Sequence, residues 1–145
     1  MWRILIVDDE PYIVDGLSDL FMEMPELELE VYKAYSGIQA LDWLNRTKID
    51  IVLSDVRMPQ MSGLELQQSI REMWPYCKVI FLTGYGEFDY IQTALRGGSV
   101  DYVLKTEYDE AVVDAVKKAI ASLESDMRSD LYMRQARERL QMALP

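Results

Sequence analysis

Histidine is absent from these 145 residues, and cysteine occurs once, as Cys77. Without imidazole there is no Ser-His-Asp or Cys-His nucleophile, no histidine-ligated zinc and no histidine general base. A lone cysteine excludes an internal disulfide and a cysteine-based metal cluster, and fits a reducing compartment. Positive charge is scarce: 15 Lys and Arg stand against 25 Asp and Glu, for a net charge of −10. This argues against a broad basic surface for nucleic acid and favours cations or basic partners. Long apolar runs are missing too. Residues 4–7 fall far short of the roughly 7–15 residues of a signal-peptide core, and no run nears the roughly 20 needed to span a bilayer. A cytoplasmic protein without a membrane partner is expected.

What is present alternates. Residues 4–7, 51–53, 79–82 and 102–104 are apolar at consecutive positions, as in strands buried on both faces of a parallel sheet. Residues 29–35 form a weaker, mixed pattern that reads as an edge strand. Between them lie helical patterns. Residues 12–24 place Ile13, Leu17, Leu20 and Phe21 on one face. Ser36 with Gln39, and Ser62 with Glu65, have capping-box spacing. Residues 88–96 carry Phe88, Ile91, Ala94 and Leu95 before a Gly97-Gly98 stop, and a last helix begins near Asp109. Five strand–helix repeats predict an α/β fold: a flavodoxin-like (βα)5 doubly wound parallel sheet, strand order 2-1-3-4-5. In such sheets the site lies beyond the carboxyl ends of the strands.

Those ends carry the chemistry. Strand one runs into Asp8, Asp9 and Glu10, strand three ends at Asp55, strand four at Thr83 and strand five at Lys105. A lone Asp-Asp pair is more often a helix cap than a ligand. Its convergence with Asp55 and Lys105 reverses that preference. Clustered carboxylates repel, raising the pKa of at least one unless a cation intervenes, and hard oxygen ligands suit Mg2+. Thr83 can donate a hydrogen bond to a phosphoryl oxygen, and Lys105 can pair with acids or a phosphate. A carboxylate nucleophile, a divalent ion and a lysine are what phosphoryl transfer to an aspartate needs. An ionised carboxylate requires no general base, so the missing histidine costs this chemistry nothing.

With these pieces together, the chain resembles the receiver domain of two-component response regulators. The matching segments are Ile4-Leu5-Ile6-Val7-Asp8-Asp9-Glu10-Pro11, Asp55-Val56-Arg57-Met58-Pro59-Gln60-Met61-Ser62-Gly63, Thr83-Gly84 and Asp101-Tyr102-Val103-Leu104-Lys105. They give a receiver domain over residues 1–124. The stretches 84–90 and 101–106 are similar to the branch with an AraC-type DNA-binding output. The resemblance implies a switch rather than a turnover enzyme, in which Asp55 accepts a phosphoryl group from a partner histidine kinase. Asp9, Asp55 and the backbone carbonyl of Arg57 would hold Mg2+, with Asp8 acting mainly through water. Thr83 and Lys105 would contact the phosphoryl group, and Tyr102 would swing inward as Thr83 moves. The responding face would comprise the fourth helix, the fifth strand and the fifth helix.

Two departures stand out. Thr106 follows Lys105 where the family usually carries a cis proline. A cis bond before a non-proline residue costs about 3–4 kcal/mol, so a trans or strained bond and a shifted loop are expected. Arg57 puts a long cation beside the pocket, where it either shields an acyl phosphate or covers the empty acidic site. Arg57 also argues against a haloacid-dehalogenase phosphatase, which needs a second Asp there. A flavin module is disfavoured because Asp8, Asp9 and Glu10 would repel its phosphate.

Residues 125–145 read as a helical extension or linker toward an output domain absent from this chain. Apolar positions 113, 116, 120, 123 and 127 keep a 3–4 spacing that breaks at Asp130 and Arg134. A homodimer through this helix or the responding face is one expectation. Contact with DNA is expected only through the absent output domain.

Overall fold

The computed structural model describes residues 1–84, 87, 92, 100–105 and 109–143. Five parallel strands, β1 (Trp2–Val7), β2 (Leu29–Ala34), β3 (Ile51–Asp55), β4 (Lys78–Thr83) and β5 (Val100–Leu104), form one sheet. Their order is β2-β1-β3-β4-β5, as the sequence pattern predicts. The register pairs Val7 with Ala34 and Ser54, Asp55 with Leu82, and Thr83 with Leu104. The carboxyl ends of the strands therefore finish side by side.

The runs in β1, β3 and β4 are apolar throughout because both faces of the sheet are covered. Ile4, Ile6, Ile51, Leu53, Ile80 and Leu82 point to one face, against Val14, Leu17 and Phe21 of α1 (Pro11–Met22) and Val112, Val116 and Leu123 of the C-terminal helix (Asp109–Ala143). Leu5, Val7, Val52, Val79 and Phe81 point to the other, against Ala40 and Leu44 of α2 (Gly37–Arg46) and Leu66 and Ile70 of α3 (Gly63–Met73). Alternation with period two thus divides one sheet between two cores. The mixed β2 lies at an edge, largely half-buried.

Local signals set the helix starts. Pro11 opens α1, where its missing N–H costs nothing. Ser62 and Glu65 form a complete capping box: the Ser62 hydroxyl accepts from the Glu65 N–H at 3.1 Å, and the Ser62 N–H reaches Glu65 Oε1 at 3.5 Å. The first pair is only half a box. Ser36 accepts from the Gln39 N–H at 3.1 Å, but Gln39 Oε1 takes the N–H of Tyr35 at 2.9 Å instead of that of Ser36. A 3-10 turn at Pro25–Leu27, absent from the sequence reading, leads into β2.

The C-terminal helix continues as one unbroken helix to Ala143. Lys78 Nζ anchors it 2.8 Å from Asp126 Oδ2. Beyond that point Met127, Leu131, Tyr132, Met133 and Leu140 are all exposed. The helix at residues 88–96, the Gly97-Gly98 stop and the Lys105–Thr106 bond lie outside the described residues.

Candidate functional site

The acidic pocket begins with β1. Asp8 follows the last residue of that strand and is fully buried, whereas Asp9 is exposed. Asp8 does not cap α1. Its Oδ1 accepts the Glu10 N–H at 3.0 Å, and the N-cap residue, Glu10, makes no side-chain cap bond. Asp55, the last residue of the neighbouring β3, is 4% exposed. One carboxylate oxygen from each of Asp8, Asp9 and Asp55 lies within 4.8 Å of the others. Thr83, at the end of β4, is buried beside them in the sheet order.

Lys105 closes the group. Its backbone N–H donates to the Thr83 carbonyl at 2.7 Å, which fixes the chain just beyond β5. Its Nζ stands 3.1 Å from Asp8 Oδ2 and 3.3 Å from Asp55 Oδ2. The non-proline Thr106 therefore does not move Lys105 away from the acids. Asp8 Oδ2 has no hydrogen-bond partner among the described residues and faces only this ammonium as an ion pair. A buried anionic oxygen in that state favours a cation.

Burial and then the Asp8 charge push the Asp55 carboxyl up to about 7, against the opposing pull of Lys105. Burial also raises Asp8, although the Glu10 N–H and Lys105 oppose it. Burial acts against the Lys105 ammonium, but Asp55 and Asp8 outweigh it and hold the amine above its ordinary value. This refines the expectation of an already ionised nucleophile: with Lys105 alone as counter-charge, Asp55 is only partly ionised at pH 7. A hard divalent cation among the three acids suits the oxygen-only donor set and would draw the proton off.

The loop after β3 is shaped by close packing. The Gly63 N–H donates to the Val56 carbonyl at 2.8 Å. A Cβ on Gly63 would sit 2.2 Å from the Asp55 carbonyl oxygen, so only glycine lets α3 start this near the site. Gln60, within the same loop, takes φ 70°. The Arg57 side chain is 60% exposed, and its Nε lies 3.8 Å from Glu87 Oε1. Tyr102, on edge strand β5, is exposed, with its N–H donating to Asp101 Oδ1 at 2.8 Å.

The structure thus brings Asp8, Asp9, Asp55 and Lys105 together and sets the buried Thr83 at the end of the adjacent strand. The sequence reading missed Glu87, whose carboxylate accepts the Gly84 N–H at 2.9 Å. The available signal was a pair of opposite charges, Arg57 and Glu87, in loops that follow adjacent strands.

The chain thus folds as an open parallel sheet with three acids, a threonine and a lysine at the carboxyl ends of its strands. The response regulator receiver domain family matches residues 4–117, and the chain belongs to that family. It is 33% identical over 133 residues to the transcriptional regulatory protein YesN of Bacillus subtilis, covering 91% of this chain and 35% of YesN. Among solved structures it is similar to a two-component transcriptional regulator AraC from Clostridium phytofermentans. That match has a TM-score of 0.79 and 33% identity, over 86% of this chain and 97% of the other. The receiver domain of AraT, a response regulator from Geobacillus stearothermophilus, matches with a TM-score of 0.79 and 36% identity, over 87% of this chain and 98% of the other. The chain thus spans about a third of the length of YesN. No helix among the described residues is long and apolar enough to cross a membrane.

Proposed function

We propose that Asp55 is the phosphoacceptor of a signalling switch, supplied by a partner histidine kinase. The observation that carries this reading is the Lys105 ammonium set between the buried carboxylates of Asp8 and Asp55. A carboxylate oxygen of Asp55 attacks phosphorus, and an aspartyl P–O bond forms. The bond from phosphorus to the donor's imidazole nitrogen breaks, and its electron pair stays on that nitrogen. Lys105 balances charge on the phosphoryl oxygens and the Thr83 hydroxyl donates to one of them. Asp8, Asp9, Asp55 and the backbone carbonyl of Arg57 are the groups to hold Mg2+. When bound, that ion supplies charge neutralisation for the carboxylates and the incoming phosphoryl group.

Because Lys105 is tied through its N–H to the Thr83 carbonyl, a shift of either residue reaches β5, and Tyr102 is the aromatic placed to respond. The responding face, made by a fourth helix expected from the sequence at residues 88–96, β5 and the C-terminal helix, transmits the change. The domain acts by changing populations rather than by turning over small phosphate esters. The projecting helix leads toward an AraC-type DNA-binding domain outside this chain, and its exposed apolar residues support pairing with a second copy. A cytoplasmic setting goes with this reading.

The test is intact-protein mass after acetyl phosphate and Mg2+. The wild type gains one phosphoryl group, and Asp55→Asn gains none. Equal labelling of both would assign the phosphate elsewhere. Light scattering with and without beryllofluoride tests the pairing: a monomer mass in both states overturns it.

A further inference from the structure

The Arg57–Glu87 ion pair joins the loops that follow β3 and β4 and is not used by the reaction as described. Glu87 reaches back so that its Oε2 accepts the Gly84 N–H at 2.9 Å, while its own N–H meets the Gly84 carbonyl at 3.4 Å. Gly84 directly follows Thr83, so this N–H belongs to the same strand end as the Thr83 hydroxyl. Glu87 Oε1 meanwhile faces Arg57 Nε at 3.8 Å, and Arg57 lies two residues past Asp55. The Glu87 side chain is only 18% exposed. Its charge also reaches the nucleophile, adding to the forces that raise the Asp55 pKa. One carboxylate therefore occupies a backbone donor next in sequence to Thr83 and a guanidinium two residues past Asp55. These are the two kinds of group that bind phosphoryl oxygens best.

We propose that Glu87 is a positioning residue that restrains phosphorylation: it is an internal anion occupying the Gly84 N–H and the Arg57 guanidinium, and an incoming phosphoryl donor must displace it from both. This rests on Asp55 as phosphoacceptor. It also resolves the two roles open to Arg57. Glu87 Oε1 is one of the contacts of Arg57 before phosphorylation, and loss of that contact lets the guanidinium turn toward the new anion. A purely local role has the same geometry, because a glutamate three residues after Gly84 can act as an N-terminal cap. Glutamine serves equally well in such a cap, and this separates the two roles.

The experiment measures the rate of phosphorylation by acetyl phosphate with Mg2+ in wild type, Glu87→Gln, Arg57→Gln and the double variant. Melting temperatures serve as the folding control. Glu87→Gln keeps the cap hydrogen bond and removes the charge. Its rate is expected to rise roughly 5- to 10-fold, the scale of one unit charge acting at a partly exposed site. Arg57→Gln is expected to slow the Glu87→Gln protein about 5-fold more than it slows the wild type, a coupling that distant independent sites do not show. A folded Glu87→Gln protein phosphorylated at the wild-type rate or more slowly overturns the proposal, as does a double variant whose effects simply multiply. In both cases labelling of wild type but not Asp55→Asn leaves the phosphoacceptor reading standing. Absence of label from wild type removes both.

Discussion

The Lys105 ammonium lies 3.3 Å from Asp55 Oδ2 while standing 3.1 Å from Asp8 Oδ2, so one partly exposed cation serves two buried carboxylates. Replacing it leaves two buried acids without their counter-charge. A pair buried on both sides loses roughly 3–5 kcal/mol when one partner is removed. Lys105→Ala should cost less, about 1–3 kcal/mol, because Lys105 is partly exposed and Asp55 can take up a proton instead. Phosphorylation by acetyl phosphate should fall about 100-fold, the usual scale for losing one charge-stabilising donor. Urea unfolding and the labelling rate check the two effects separately. An unchanged labelling rate would remove Lys105 from the chemistry.

The pH dependence has a definite sign. Asp55 is pushed up to about 7 in the fold, from an ordinary value of 3.8. Between those values the folded state keeps a proton that the unfolded chain has lost, so stability falls as pH rises. The contribution is fully present below about pH 4 and gone by about pH 7. Asp8, also raised, acts in the same direction. Melting temperatures in EDTA should decline through this window. Asp55→Asn should flatten the decline, and Mg2+ should raise the wild-type melting temperature at pH 7.5 much more than that of the variant.

Gly63 is the backbone counterpart of the acids. A methyl group there would lie 2.2 Å from the Asp55 carbonyl oxygen, and α3 must shift to accept it. Gly63→Ala should destabilise by roughly 1–3 kcal/mol and slow phosphorylation by displacing Asp55 and the Arg57 loop. Gly16→Ala, on a helix with open space around that position, is the matched control and should do neither.

Burial, with a contribution from Asp50, pushes the Cys77 thiol up to about 12. Almost no thiolate is present at pH 8, and thiolate is the reactive form. Alkylation by iodoacetamide should be at least about 10-fold slower in the native protein than in urea. Cys77 is half-buried, so equal rates would contradict the raised thiol pKa.

The fold was legible because periodicity carries through burial: three strands buried on both faces show consecutive apolar residues, and edge strand β2 shows a mixed pattern. The acids and Lys105 were legible because strand ends place them by sequence position alone. Other features depend on contacts between loops. Ser36 and Gln39 have capping-box spacing, yet the Gln39 side chain finds the Tyr35 N–H. Arg57 could be placed near the pocket from sequence, but its contact with Glu87, 30 residues later, could not. The ionisation of Asp55 likewise depends on how deeply the pocket is buried, which spacing does not encode.

The central claim concerns one carboxylate. Borohydride reduction of the phosphorylated protein converts an aspartyl phosphate to homoserine, and tandem mass spectrometry of its peptides locates that residue. The account predicts homoserine at position 55 and nowhere else, dependent on Mg2+ and lost in Asp55→Asn. Homoserine at position 8 or 9, or a label that persists in the variant, would contradict it.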